Sequence, residues 1–202
     1  MTVTEIVPVD KRRSKVILDE DFTLVLYRGE LKRFGIEEGG ELTQDTYRKI
    51  LDDVLLKRAR ERALFLLKSS DKTEQELRLK LKDGGYPKEA IDYVISFVKE
   101  HRFINDEDYG RRYVECYSKR KSERQIRYEL QQKGLDKEVI GELLEDHPVE
   151  EEAQVRAYIR KKRLDLKEMD VKERSRVMGA LGRKGFSYEV VSRVLGGDCE
   201  EY

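Results

Sequence analysis

The fold is decided by residues 73–91, TEQELRLKLKDGGYPKEAI, which recur 49 positions later as residues 122–140, SERQIRYELQQKGLDKEVI. A third and more divergent copy begins 51 positions after the second. It retains six of the shared positions, namely Val177, Leu181, Gly185, Phe186, Glu189 and Val191. Self-similarity at this period is typical of stacked helical units, none of which buries its apolar face alone. The sequence therefore predicts a tandem helical repeat.

Each copy contains the signals that begin and end a helix. Thr73 with Glu76, and Ser122 with Gln125, have the spacing of a capping box. Apolar pairs four residues apart share one helical face, and these pairs are Leu77/Leu81, Ile126/Leu130 and Val177/Leu181. A glycine in each copy fits the left-handed residue that ends such a helix, and these are Gly85, Gly134 and Gly185. Residues suited to begin the next helix follow at Pro87, Asp136 and Ser187.

One further helix precedes each copy, around residues 59–68, 107–120 and 151–164, so each unit is predicted to be a three-helix module. The fold class is therefore mainly α. We expect three tandem three-helix modules in an elongated, curved array, with a small N-terminal β-hairpin or meander. The predicted domains are a β-rich extension (1–42), a first repeat with a lead-in helix (43–105), a second repeat (106–148) and a third repeat with a short tail (149–202).

The first 42 residues have a different pattern from the rest. Residues 2–9, 15–19 and 22–27 are rich in β-branched and apolar residues, and the polar segment 19–21 predicts a turn between the last two. Gly29 and Glu30 predict a further turn before residues 31–36. Such a small sheet is marginal by itself and needs a neighbouring helix to cover its apolar face. The helical period begins at Thr43 and continues to about Lys68.

Composition favours narrow apolar seams over a thick enzyme core. Charged residues make up 42% of the chain and apolar residues 38%, against about 25% and 45–50% in typical domains. The net charge is zero, but its distribution is uneven. Residues 111–135 and 153–184 are predominantly basic, whereas residues 136–152 are predominantly acidic. Such blocks create local fields of opposite sign.

No cysteine, histidine or acidic cluster has the spacing of a metal or catalytic site. Cys116 and Cys199 are far apart, and His101 and His147 are expected to be surface or capping residues. The cluster at residues 150–152 is expected to complement a helix N-terminus. No phosphate-binding glycine loop or catalytic motif is present. We therefore expect a non-enzyme without a cofactor. Because no signal peptide or membrane-spanning run is found, we expect a cytoplasmic protein.

The ordered set of motifs resembles the RecX family of recombination regulators. The resemblance covers roughly residues 57–195 and includes residues 60–67, the 73–86 unit, the segment FINDEDY at 103–109, residues 124–134 and the segment RKGF at 183–186. The third unit departs from the pattern, since Arg174 stands where the other two have Glu74 and Glu123. This difference weakens any expectation that all three units have the same role.

The resemblance implies a partner and an activity. A member of this family is expected to bind RecA recombinase filaments on single-stranded DNA, and to suppress their ATP turnover, strand exchange and co-protease activity. Nothing in the sequence indicates an obligate oligomer, so a monomer is expected. The candidate contact residues are basic, because the filament is acidic and carries DNA phosphates. They are Lys119, Arg120, Lys121, Arg124, Arg127, Lys133, Arg160, Lys161, Arg163, Arg183 and Lys184.

Two alternatives stay open. Paired helices joined by a glycine-containing turn also describe a helix-turn-helix that binds DNA without a RecA partner. The third helix of each unit is acidic or neutral, which makes a poor surface for reading bases. A helical-repeat adaptor for another acidic protein is the second alternative. Tyr109, Tyr113, Tyr117 and Tyr128 stand among the basic residues, where they could stack on bases. Such aromatics more often fill seams between helices, and the four-residue spacing of Tyr109, Tyr113 and Tyr117 favours a buried stripe, so all four are assigned to the core.

Overall fold

The N-terminal region is a three-stranded antiparallel sheet. The structure, a computed structural model, describes residues 1–19 and 22–196. Strands β1 (Val3–Pro8), β2 (Arg13–Leu18) and β3 (Thr23–Tyr27) pair in the order β1-β2-β3, with Val3 opposite Leu18 and Arg13 opposite Tyr27. Alternate side chains of β2 and β3 are buried on one face. The predicted meander is confirmed, although Glu20 and Asp21 of its predicted turn lie outside the described residues.

The turn predicted at Gly29 and Glu30 is wrong, because both residues lie in helix α1 (Arg28–Phe34). The Glu30 carboxylate accepts a hydrogen bond from the backbone N–H of Tyr27 (2.8 Å), which caps the first turn of this helix. The same carboxylate forms an ion pair with Arg58. Gly35, at φ 62°, ends the helix. The glycine that ends the helical conformation is therefore Gly35, which follows α1, and not Gly29, which lies within it.

The predicted helical stripe between residues 43 and 68 is confirmed, with one irregularity. Thr43 caps α2 (Gln44–Ile50), and its side chain accepts from the N–H of Thr46 at 3.2 Å. A π-helical segment (Leu51–Leu55) joins α2 to α3 (Leu56–Ser69). The stripe buries Tyr47, Ile50, Leu55, Ala59, Ala63 and Leu66. These residues share one core with the buried face of the sheet.

Three modules of three helices follow the predicted repeat. The first consists of α3, α4 (Glu74–Asp83) and α5 (Lys88–Glu100). The second consists of α6 (Asp106–Tyr117), α7 (Glu123–Gln132) and α8 (Lys137–Asp146). The third consists of α9 (Glu151–Lys162), α10 (Val171–Arg183) and α11 (Tyr188–Gly196). The apolar pairs of α4, α7 and α10 are buried as predicted.

Helix capping confirms most of the predicted signals. Thr73 and Glu76 form the reciprocal capping box at the start of α4. Ser122 caps α7 by accepting from the N–H of Gln125 (3.3 Å), but the Gln125 amide donates to Glu129 (3.1 Å). The second box is therefore only half formed. Gly85, Gly134 and Gly185 have φ values of 78°, 90° and 90°, in the left-handed region that glycine tolerates best.

The chain divides into two compact units, Met1–Asn105 and Asp106–Tyr202. The first contains the sheet and the first module. The second contains the other two modules, each of which has its own apolar core. The predicted domain boundaries, and the predicted curved array, stay predictions.

Gly110 permits close packing within the second module. A Cβ at this position of α6 would lie 2.6 Å from Leu143 Cδ1 and 2.7 Å from Leu135 Cδ2, whereas one at Gly141 of α8 would meet nothing within 4 Å. We expect Gly141→Ala to raise the free energy of unfolding by about 1 kcal/mol through helix propensity. Gly110→Ala is expected to lower it by about 1 kcal/mol, because overpacking outweighs the same gain. Urea denaturation measures both, and equal stabilisation by the two substitutions would contradict the close packing.

Candidate functional site

Three exposed basic residues of the second unit stand next to the contact between its two modules. The Ser122 hydroxyl donates a hydrogen bond to the carbonyl oxygen of Lys184 at 2.9 Å. Gly185 fits directly against this cap, since an added Cβ would lie 2.4 Å from Ser122 Oγ and 3.7 Å from Arg124 Cβ. Arg124, Arg183 and Lys184 are exposed. We call these three residues the junction surface.

A second contact fixes the start of α9 against the same region. The Glu151 carboxylate accepts from the backbone N–H of Glu123 at 2.9 Å, and burial raises its pKa. The Gln154 amide donates to the carbonyl oxygens of Ser118 (2.6 Å) and Lys121 (3.1 Å). The two modules of this unit are thus joined by polar contacts at the N-termini of α7 and α9.

Three of the predicted contact residues are already engaged within the protein. Arg127 forms an ion pair with Glu123 at 2.8 Å. The ammonium group of Lys133 lies 5.3 Å from the centre of the Tyr109 ring. The side chain of Lys121 is 20% exposed, against 40% for Arg127, and its ammonium group binds Glu129 at 2.5 Å. The contacts of these three residues thus hold side chains of the second module in place.

Lys121 is the centre of a partly buried network. Its ammonium group donates to Tyr113 Oη (2.9 Å) and to Glu129, and it lies 3.9 Å from the centre of the Tyr117 ring. Tyr113 also donates to Glu129. Burial alone would raise the pKa of Glu129, but the hydrogen bonds from Lys121 and Tyr113 outweigh it and lower that pKa below its usual 4.5. A Lys121–Glu129 pair of this kind stabilises the turn between α6 and α7.

We expect Lys121→Met to lower the free energy of unfolding at pH 7 by about 1 to 2 kcal/mol, because it leaves Glu129 without its cation. Since the folded-state pKa of Glu129 is depressed, its contribution is present above pH 4.5 and is lost as the pH falls through the lower, folded-state pKa. The variant should therefore lose less stability in that acid range. Denaturation at pH 7 and pH 3.5 measures this effect, with exposed Lys119→Met as the control. If the variant and the wild type lost the same stability between pH 7 and pH 3.5, the pairing of Lys121 with Glu129 would be contradicted.

The remaining predicted contact residues lie in two further segments of the chain. Lys119 and Arg120 are exposed in the turn after α6. Arg160 and Lys161 occupy the last turn of α9, and Arg163 ends that helix at φ 54°. Because each helical residue rises 1.5 Å, Arg160 lies roughly 14 Å along the axis from Glu151. Within residues 106–196, no hydrogen bond or ion pair joins Arg160, Lys161 or Arg163 to the junction surface.

The tyrosines divide into two groups. Tyr109, Tyr113 and Tyr117 are partly buried against the core of the second module, and the Tyr113 and Tyr117 ring centres are 4.5 Å apart. The prediction of an apolar stripe holds for these three. It is wrong for Tyr128, which is 62% exposed. Leu79, the equivalent residue of α4, is 51% exposed, and the sequence analysis did not single it out. Leu79 and Tyr128 occupy the same position of the repeat, and this equivalence is the sequence signal that would have identified both as exposed apolar residues.

The third helix of the second module is unsuited to reading DNA bases. Glu138, Glu142 and Glu145 are all exposed on α8, where they would face the negative phosphates of a groove. The geometry thus disfavours the helix-turn-helix alternative for this module.

The other predicted sites have structural roles or fall outside the description. His101 and His147 end α5 and α8, as expected for capping residues. Residues 150–152 stand at the start of α9. Cys116 is an exposed free thiol, and Cys199 lies outside the described residues. Among the described residues no group of three metal-ligating side chains is found, and no helix there is long and apolar enough to cross a membrane.

Comparison with known proteins gives matches along most of the chain. Family models for the first, second and third three-helix domains of RecX match residues 59–97, 105–144 and 150–195. The chain belongs to the RecX family. The matched ranges agree with the three helical modules of the structure, which are therefore RecX three-helix domains.

Several RecX proteins are similar over nearly the full length. The regulatory protein RecX of Caldanaerobacter subterraneus subsp. tengcongensis is 32% identical over 203 residues, covering 96% of this chain and 98% of the relative. That of Clostridium botulinum (strain Eklund 17B / Type B) is 28% identical over 199 residues, covering 96% and 94%.

Two solved structures have the same fold. The crystal structure of a regulatory protein RecX matches with a TM-score of 0.60 at 23% identity, and covers 96% of this chain and 98% of that one. RecX from Lactobacillus salivarius matches with a TM-score of 0.58 at 20% identity, covering 70% and 95%.

Proposed function

We propose that this protein binds filaments of a RecA-type recombinase on single-stranded DNA and thereby inhibits their ATP hydrolysis, strand exchange and co-protease activity. In this proposal the protein acts as a monomer in the cytoplasm, and has no catalytic activity or cofactor of its own. Membership of a family of regulatory proteins supports the proposal.

The observation that carries the proposal is the junction surface. Arg124 comes from the second module, and Arg183 and Lys184 come from the third, 59 and 60 residues further along the chain. The Ser122–Lys184 hydrogen bond joins the two segments that carry these residues. Exposed cations that converge from separate modules attract an acidic protein surface and DNA phosphates, both of which a nucleoprotein filament presents.

Lys119 and Arg120 extend this binding surface in the proposal, because they lie in the turn that leads directly into Ser122. Lys121, Arg127 and Lys133 act mainly by holding the second module in shape. Arg160, Lys161 and Arg163 form a separate, weaker contact region at the end of α9.

Binding to three targets distinguishes this function from direct DNA binding. Fluorescently labelled protein is titrated with single-stranded DNA alone, with the cognate recombinase alone, and with the filament assembled on that DNA with a non-hydrolysable ATP analogue. We expect the tightest binding to the filament. Equal or tighter binding to bare DNA would overturn the proposal and favour the DNA-binding alternative.

A further inference from the structure

We propose that α4 and α7 carry two equivalent docking sites, each made of an exposed apolar side chain with cations beside it. The segments that they bind are acidic, contain an apolar side chain, and repeat along the surface of the partner. The inference rests on the proposed function, because it names the part of this protein that recognises the repeated subunits of the filament. The inference treats the surface of α4 in the first compact unit and the surface of α7 in the second compact unit separately.

Equivalent residues of α4 and α7 line a surface groove in each unit. One groove, of about 550 Å³, is lined in part by Gln75, Arg78, Leu79 and Lys82 of α4. The other, of about 520 Å³, is lined in part by Arg124, Arg127, Tyr128 and Gln131 of α7. Each residue of the second set stands 49 positions after its counterpart in the first. The repeat therefore duplicates a surface as well as a core.

The apolar residue of each set is not needed to fold its module. Leu77 and Leu81 of α4, and Ile126 and Leu130 of α7, are fully buried. Leu79 and Tyr128 lie midway between these pairs and so point away from the core. A single exposed apolar residue is ordinary on a protein surface. Two at equivalent repeat positions, each within a groove, indicate that the surface is used for binding.

The charges around Leu79 and Tyr128 indicate the charge of the partner. Arg78 is held beside Leu79 by Glu74 (2.8 Å) and Asp92 (2.6 Å), and Arg127 is held beside Tyr128 by Glu123 (2.8 Å). In the described part of the chain, Lys82 and Lys88 at the first groove and Arg124 at the second have no ion-pair partner. Two carboxylates also line the second groove, but Glu123 pairs with Arg127 and Glu151 accepts from the Glu123 N–H.

Among the described residues, the first groove is also lined by the apolar side chains of Phe22 and Ile91, and by no carboxylate. Unpaired cations around an apolar centre are complementary to acidic residues around an apolar side chain.

The third module lacks this surface. Its equivalent positions are Ser175, Met178, Gly179 and Gly182, so neither the arginine nor the large apolar residue that α4 and α7 share is present. Glycine stands where the other modules have Leu79 and Tyr128. The protein thus presents two such sites, and a partner built of identical subunits offers matching segments to both. Engagement of both sites strengthens binding through effective concentration.

The test uses Leu79→Asp, Tyr128→Asp, their combination, and Val171→Asp as the control, because Val171 is an exposed apolar residue at the other end of α10 from Arg183. All three positions are exposed, so circular dichroism and urea midpoints should stay close to those of the wild type. The readouts are anisotropy-measured binding to the cognate filament and the concentration that half-inhibits its ATP hydrolysis. Each single variant should raise this concentration about tenfold, as loss of an interface anchor does. The double variant should raise it about a hundredfold, and Val171→Asp less than twofold.

The outcomes separate this inference from the proposed function. If the wild type binds and inhibits but the double variant matches it, the docking sites are wrong and the proposed function stands. If the wild type neither binds nor inhibits, both are overturned. Leu79→Lys tests the acidic character of the partner, because it should weaken binding less than Leu79→Asp. A loss equal to or larger than that of Leu79→Asp would overturn the assignment of an acidic partner.

Discussion

Gly85→Ala is expected to lower the free energy of unfolding by about 3 kcal/mol, because two penalties act at this position. Gly85 has φ 78°, a conformation that costs an L-residue about 1 to 2 kcal/mol. An added Cβ would also lie 2.2 Å from Val25 Cγ2 and 3.0 Å from Val25 Cβ. Val25 is β-branched and belongs to β3, and its N–H donates to the Gly85 carbonyl oxygen at 3.3 Å. Relief of the clash therefore requires the strand to move, which adds about 1 to 3 kcal/mol.

Gly35 supplies the control for this substitution within the same unit. It has φ 62° and would meet nothing within 4 Å, so Gly35→Ala has only the backbone penalty of about 1 kcal/mol. Urea denaturation of the three proteins measures the difference, provided that the slope of the transition is unchanged. Equal losses for Gly85→Ala and Gly35→Ala would show that the sheet does not pack against the glycine that ends α4.

Reversal of charge on the junction surface is expected to have the largest effect on function. The variant Arg124→Glu/Arg183→Glu/Lys184→Glu should raise the concentration that half-inhibits the recombinase by about a hundredfold or more, since each reversal replaces attraction by repulsion at an acidic partner. The affinity of the wild type should fall as salt rises, and the variant should be less salt-dependent.

The variant Arg160→Glu/Lys161→Glu/Arg163→Glu makes the same change in net charge at the end of α9. We expect this control to weaken inhibition about threefold, because these side chains lie apart from the junction surface and would act on the partner only through long-range attraction that salt screens. Both triple variants should retain the helical content of the wild type. Equal losses of inhibition would mean that net charge, and not the junction surface, determines binding.

The repeat was predictable because its signals are local. The capping residue, the apolar pair and the terminal glycine of each module lie within about 14 residues of one another, and each acts through the helix that contains it. Helix α1 was missed because Gly29 resembles a turn residue. The ion pair of Glu30 with Arg58, 28 residues away, gives no local signal.

The candidate site was predictable only as a set of basic residues. Eleven basic residues were selected from charge blocks and family resemblance, without knowledge of their environments. The sequence contains no sign that Lys121 lies between Tyr113 and Glu129, or that Ser122 reaches the Lys184 carbonyl 62 residues away. Tyr128 was assigned to the core together with the other tyrosines, although only Tyr109, Tyr113 and Tyr117 have the four-residue spacing of a buried stripe. Its position between Ile126 and Leu130 places it on the opposite face of α7.

The central claim is that this protein inhibits a recombinase filament, and ATP hydrolysis tests it most directly. The cognate RecA hydrolyses ATP on single-stranded DNA while the protein is titrated in at substoichiometric amounts. The account predicts clear inhibition by the wild type, and loss of that inhibition in the junction-surface variant. Unchanged hydrolysis with excess protein, together with tight binding to bare DNA, would contradict it.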